Sequence, residues 1–373
     1  MTRELVIDGV RVADDTDCYV VAEIGHNHQG KLETAKEMIR VAHECGASAV
    51  KLQKRNNRQL YTRAMYDKPY DNESSFGPTY GLHRDALEFD RAGYAELRDY
   101  ATSLGVTFFA TAFDFASVDF LAALDLPAYK LASGDLRNTP LLQYVARLGK
   151  PMVLSTGAAT MEDVRRAYDA VMPINTQLCI LQCTAGYPAT FEELDLRVIE
   201  TYRMAFPDVV VGLSAHDNGI AMSVASYVLG ARVLEKHFTL NRALKGTDHA
   251  FSLEPVGLRK MVRDLRRTRM ALGDGRKKTY PSEEGAYVKM GKALVAARDL
   301  PPGHALERGD IAIKSPGVGL PPYELAQFIG KVLVQGITED TPLNLAMVEA
   351  GRSGEVTDRL SLVKERSRGE ATG

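Results

Sequence analysis

Eight short runs rich in β-branched and aromatic residues, at 19–24, 49–53, 106–111, 128–132, 152–155, 179–182, 209–213 and 232–235, alternate with segments of helical periodicity. A parallel strand can reach its neighbour only by a crossover, so this alternation is what a parallel sheet wrapped by helices requires. Eight units favour closure into a (β/α)₈ TIM barrel, of class α/β, over an open doubly wound sheet. The second run leads into a long insertion, 54–89, rich in charge and turn residues. Insertions after barrel strands belong among the loops that build the active face. Ahead of the first run, residues 5–12 alternate around Asp8-Gly9, a hairpin signal, and are expected to plug one end of the barrel.

The last barrel helix is predicted over 255–272, stopping at Gly273-Asp274-Gly275. The division read from the chain is a barrel domain at 1–275 that includes the hairpin, a charged linker at 276–287, a small second domain at 288–350 and a tail at 351–373. The second domain has strand-like runs at 293–296, 311–314 and 332–334, and the polar tail is expected to be disordered. The chain carries 46 basic and 48 acidic residues, a net charge of −2, with both signs interspersed, which argues against nucleic acid as a partner. No apolar run approaches the ~18 residues of a membrane span, and 1–10 lacks the apolar region of a signal peptide. A soluble, cytoplasmic protein without a membrane partner is expected. Cys18, Cys45, Cys179 and Cys183 read as reduced core thiols. Zinc at Cys179 and Cys183 is the weaker alternative, because two further ligands are missing.

Polar residues gather where the strands end, the position from which a barrel aims side chains at a substrate. Glu23 leads into the polar turn 25–30; Lys51 and Gln53 end the second strand; Lys130 sits in the fourth, before Ser133, Gly134 and Asp135. Ser155, Tyr187, Ser214, His216 and His237 follow on later strands. A lysine within an apolar barrel strand is costly to desolvate unless an anion meets it, so Lys51 and Lys130 predict an anionic ligand. Internal ion pairing with Glu23 or Asp135 is the alternative. His216 and His237, on adjacent strand ends, suit a shared divalent ion such as Mn²⁺, Fe²⁺ or Zn²⁺, or else act as two independently hydrogen-bonded imidazoles. His26 and His28 read as ordinary polar loop residues. The insertion brings Lys54, Arg55, Arg58 and Arg63, with Arg84 following. A solvated basic face is the default for such a run; a site for a second, phosphate-like group at Lys54, Arg58 and Arg63 is the functional reading.

These residues stand in stretches that resemble the sialic acid synthase family: 22–30, Lys51-Leu52-Gln53, Thr79-Tyr80-Gly81, 130–135, Leu154-Ser155-Thr156-Gly157, 182–188, 235–239 and 248–255. The likeness extends to about residue 350, because Leu294-Val295-Ala296 and Pro316-Gly317-Val318-Gly319 resemble the family's antifreeze-like (SAF, β-clip) module. The resemblance implies a transferase that condenses phosphoenolpyruvate with an aldose, N-acetylmannosamine or its 6-phosphate, to make a sialic acid. It also implies a domain-swapped homodimer. By it, His216 and His237 would hold Mn²⁺ or a similar ion such as Mg²⁺ or Co²⁺. Lys51, Lys130, Ser133, Ser155 and Ser214 would hold phosphoenolpyruvate; Glu23, Gln53, Tyr187 and Asp248 would face the sugar; and Asp135 would manage the proton of the water that adds at C2.

Asp135, Gln182, Ala185, Ala215 and Ser315 stand where many bacterial relatives have glutamate, histidine, asparagine, aspartate and arginine. Asp135, Gln182 and the lack of an acid at 215 resemble the animal-type branch, which makes sialate 9-phosphate from hexosamine 6-phosphates. The missing arginine at 315 leaves open a mannose-derived acceptor and a deaminated product. Two other readings are a synthase for a related nonulosonate or shorter sugar acid, and a non-catalytic barrel that binds sugar acids.

Overall fold

The computed structural model describes residues 3–349; the tail expected to be disordered at 351–373 lies outside them. Strands β1 (Glu4–Ile7) and β2 (Val10–Ala13) pair antiparallel. Asp8 and Gly9 between them both take positive φ, as a tight two-residue turn demands. The next eight strands are β3 (Tyr19–Gly25), β4 (Ala49–Lys54), β5 (Thr107–Ala112), β6 (Tyr129–Leu131), β7 (Met152–Ser155), β8 (Leu178–Cys183), β9 (Val210–Ala215) and β10 (Val233–His237). They run parallel in sequence order and close into a barrel, with β10 pairing back onto β3. The last strand outruns its predicted end by two residues because the ladder with β3 continues to the pair His237–Glu23.

Side chains alternate across each strand, and the burial follows that period of two. Val20, Ala22, Ile24, Val50, Leu52, Tyr129, Leu131 and Leu234 join the layer beneath the surrounding helices. Tyr19, Val21, Ala49, Phe109, Ala128, Val153, Leu181 and Val233 point into the barrel, where Leu5, Ile7 and Val12 of the hairpin join them. One end of the barrel is thereby a dry plug. Two residues further along each strand, the inward position holds Glu23, Lys51, Thr111, Lys130, Ser155, Cys183, Ser214 or Glu235. The same pleat that stacks the apolar layer therefore delivers a polar layer above it. Helix ends are fixed locally: Asp90 caps Arg91–Leu104, which stops at left-handed Gly105, and Thr160 with Asp163 forms a capping box on Met161–Val171.

The insertion after β4 folds into three short helices, Asn57–Leu60, Arg63–Tyr66 and Tyr80–Asp85, each capped by the side chain before it. The Arg58 guanidinium lies 3.6 Å from the centre of the Tyr66 ring. The final barrel helix runs Pro255–Leu272.

The chain divides into two compact units after Asp274. In the second unit, part of the stretch expected as a linker is helical, Glu284–Met290. Strands β11 (Ala293–Ala296) and β12 (Ile311–Lys314) pair antiparallel. The third expected run, 332–334, forms only isolated bridges, from Val332 to Ala305 and from Leu333 to Val348. Leu294, Leu300, Leu306, Phe328, Leu333, Ile337 and Leu343 make a small core. Asp310 is buried beside it and accepts hydrogen bonds from Arg298, His304 and the Glu307 amide, which hold its carboxyl down at about 2.

Gly212 lies opposite Val233 in the β9–β10 ladder, where a Cβ would meet the Val233 carbonyl oxygen at 2.2 Å and a Leu181 methyl at 2.5 Å. Gly212→Ala is therefore expected to destabilise the barrel by roughly 1–3 kcal/mol through overpacking. A fall in the urea midpoint checks it; an unchanged midpoint would mean that β9 and β10 separate at little cost.

Candidate active site

The C-terminal ends of the barrel strands surround a cavity of about 620 Å³. Its wall includes Glu23, Lys51, Gln53, Lys130, Ser133, Ser155, Tyr187, Ser214, His216, His237 and Asp248, so most of the residues singled out from the sequence meet in one place. Others do not. Asp135 is buried beside the wall but not on it, and its carboxylate accepts from Asn138 at 3.1 Å. The chain leaves the strand for a 3₁₀ turn at Ser133–Asp135, so strand parity no longer sets the direction of Asp135. Burial pushes its carboxyl up to about 6. Lys54, Arg58 and Arg63 are likewise absent from the wall. Lys54 pairs with Glu88 at 2.8 Å, Arg58 stacks on Tyr66, and Arg63 is exposed on its short helix. The arginines that reach the cavity are Arg55 and Arg84, with Arg137 from the loop after β6.

At the floor, Lys51 lies 2.6 Å from Glu23 and donates to Thr111 at 2.8 Å; it stands 3.6 Å from Glu235. Lys130 donates to Ser155 Oγ at 2.6 Å and to the Leu131 carbonyl at 2.9 Å, with Glu235 at 3.8 Å. The ion pair with Glu23 considered for Lys51 is thus formed, and Glu235 is the acid shared by both lysines. Both ammonium groups are only 2 % exposed. Burial lowers Lys130. Burial alone would raise the Glu235 carboxyl, but Lys130 and Lys51 outweigh it and hold the group at about 2. Glu23 is pushed up to about 7, by burial first, with Lys51 opposing and Glu235 adding. One acid of the pair thus stays ionised while the other can carry a proton near neutrality. Five basic and three acidic side chains line the whole cavity, so its balance still favours an anion.

Across the cavity, the rings of His216 and His237 lie 5.5 Å apart, centre to centre. His216 Nδ1 is 2.9 Å from the Thr184 carbonyl, which fixes the N–H there and leaves Nε2 as a lone-pair donor. Burial lowers His237, whose Nδ1 has no hydrogen-bond partner and lies 3.7 Å from Asp248 Oδ2. Tyr187 packs its ring 4.2 Å from that of His216. Among the described residues no group of three or more His, Cys, Asp or Glu side chains is arranged to hold a metal ion. Two imidazoles with a free nitrogen suit a divalent ion that draws its remaining ligands from substrate and water. Behind them Lys236 Nζ meets Asp217 Oδ1 at 2.7 Å, and this buried pair joins the residues next to the two histidines.

Strand alternation was available in the sequence for Glu235 and Thr111, since Glu235 shares the parity of His237 and Thr111 that of Phe109. Of the departures from bacterial relatives, Ala185 is on the wall, whereas Gln182 turns away to donate to the Leu194 carbonyl and Ala215 packs beneath the helices.

The fold and wall define a class: closed parallel barrels whose strand ends gather lysines, serines and a pair of imidazoles around one cavity. A model of the NeuB family matches residues 38–277 and one of the SAF domain matches 291–349. The chain belongs to the NeuB family. It is 41% identical to the N-acetylneuraminate-9-phosphate synthase of Homo sapiens over 333 residues, covering 89% of this chain and 93% of that one. It is 33% identical to the N,N'-diacetyllegionaminic acid synthase of Legionella pneumophila, covering 89% and 95%. Among solved structures, the N-acetylneuraminic acid synthetase of Leptospira borgpetersenii superposes with a TM-score of 0.67 at 27% identity, covering 77% of this chain and 95% of that one.

Removing one member of a buried ion pair strands the other, at a cost of about 3–5 kcal/mol. Asp217→Asn is expected to lower stability by that order in urea denaturation, whereas Asp217→Leu with Lys236→Met should stay near the wild type. A single substitution without effect would show the pair to be unimportant for holding the two strand ends.

Proposed function

We propose that the chain is a nonulosonate synthase that condenses phosphoenolpyruvate with N-acetylmannosamine or its 6-phosphate, giving N-acetylneuraminate or its 9-phosphate and inorganic phosphate. The observation that carries this reading is the meeting, in one cavity, of the lysine and serine cradle with the two imidazoles. The 41% identity with an N-acetylneuraminate-9-phosphate synthase supports it.

In this reading Lys51, Lys130, Ser133, Ser155 and Ser214 bind the phosphate and carboxylate of the enol, whose C3 then faces the imidazole side. Gln53, Tyr187 and Asp248 orient the open-chain sugar. A divalent ion on His216 and His237, Mn²⁺ in the first instance and Mg²⁺ or Co²⁺ as alternatives, supplies polarisation of the aldehyde oxygen when bound. The enol π-electrons form the new bond from C3 to the aldehyde carbon, the cation left at C2 takes up water, and phosphate departs from C2 with its oxygen. Glu23, raised towards neutrality and 2.6 Å from Lys51, is suited to exchange the proton of that water. It takes the role first expected of Asp135. The reading includes a cytoplasmic homodimer in which the SAF unit of one chain closes over the cavity of the other. No helix among the described residues is long and apolar enough to cross a membrane.

Incubation with Mn²⁺, phosphoenolpyruvate and a panel of free and phosphorylated hexoses, followed by phosphate release and product mass, tests the reaction. Turnover is expected with an N-acetylmannosamine-type acceptor, and its absence with every acceptor would favour a barrel that only binds sugar acids. His237→Ala is expected to remove metal-stimulated turnover while circular dichroism is unchanged; full activity in this variant would refute the metal assignment.

A further inference from the structure

We infer that Arg55 and Arg84, held apart by the ring of His26, form a second anion subsite that takes the phosphate monoester of a phosphorylated acceptor; this rests on the synthase reading above. Both guanidiniums line the cavity, and neither forms an ion pair among the described residues. Arg55 is buried and Arg84 half-buried. The nearby acids are engaged elsewhere: Glu88 pairs with Lys54, and Asp248 accepts from Thr247 and faces His237.

Arg55 Nη1 lies 3.0 Å from His26 Nε2, and Arg84 Nη1 lies 3.1 Å from His26 Nδ1. Burial, with the two guanidiniums adding, keeps this imidazole neutral. A neutral imidazole accepts at one nitrogen and donates at the other, so one of the two arginines meets an N–H with its own N–H. The cluster therefore holds two positive charges, one unsatisfied donor contact and no anion. An oxyanion accepting from both forks would relieve all three.

The forks are already fixed for that task. Phe113, also on the wall, lies under the Arg55 guanidinium at 3.7 Å, and Gln53 Oε1 accepts from Arg55 at 2.7 Å. Tyr80 accepts from Arg84 at 3.1 and 3.0 Å. Gln53 also donates to Glu23 at 2.6 Å, so the arginine cluster and the Lys51 cradle are separate sites joined by one amide. A sugar laid across Gln53 would present one end to the imidazoles and the other to the arginines. Two planar forks match the oxygens and double charge of a phosphate monoester better than the single charge of a carboxylate.

Calorimetric titration with glucitol 6-phosphate and with glucitol, under saturating phosphoenolpyruvate, tests this without turnover, because a hexitol has no aldehyde to react. The wild type is expected to bind the phosphorylated hexitol at least tenfold more tightly, each charge-assisted contact contributing roughly ten- to a hundredfold. Arg55→Gln and Arg84→Gln should each lose a factor of that size for glucitol 6-phosphate and little for glucitol; Arg84→Lys should retain part. Equal wild-type affinity for the two hexitols overturns the proposal whether or not the variants fold, and so does an undiminished preference in a folded variant. Turnover with free sugars and no phosphate preference would sink the subsite alone. A preference without turnover on any acceptor would sink the synthase reading and leave an anion site.

Discussion

The polar floor of the barrel depends on how four buried charges are balanced. Lys51, Lys130, Glu23 and Glu235 occupy inward positions on β4, β6, β3 and β10, one pleat above the apolar plug. A lone ammonium there would be prohibitively desolvated, and two carboxylates without the lysines would not both remain ionised. The arrangement is asymmetric. Glu235 serves both lysines and stays charged, whereas Glu23 pairs with Lys51 and is raised. The lysines are already held by the hydrogen bonds they donate to Thr111 and Ser155, so an anion binding there would find them in place. Little side-chain ordering then remains for binding to supply.

Most of this floor was legible from the sequence because it obeys a period of two. Once Val21 or Ala128 is taken as inward, Glu23 and Lys130 must be inward as well, and the strand closing the barrel supplies His237 by the same rule. The resemblance to a known family added roles that the periodicity does not contain. Legibility stopped where the backbone ceased to be a strand. Asp135 sits one turn into a 3₁₀ segment, so its direction follows from local hydrogen bonding with Asn138 and not from strand parity.

The insertion was harder still. Composition located a basic stretch but could not say which of its side chains turn inward, because three short helices and a stacked tyrosine decide that. Lys54 and Arg55 are adjacent, yet one leaves the barrel towards Glu88 and Phe120 while the other lies on the wall against Phe113. Departures from bacterial relatives also divide by direction: two of those in the barrel face the helix layer, so they bear on packing more than on chemistry.

The backbone of β3 shifts register between Glu23 and Gly25, and Gly25 adopts positive φ, so the chain leaves the barrel just above the floor and carries His26 to the insertion. The carboxylate that partners Lys51 and the imidazole between the arginines are therefore only three residues apart, yet they belong to different layers. The lower layer is anchored by every strand of the cylinder; the upper one is assembled from the turn after β3 and the insertion after β4. Changes to the insertion can therefore rearrange the arginine layer while the ion-paired floor beneath keeps its geometry.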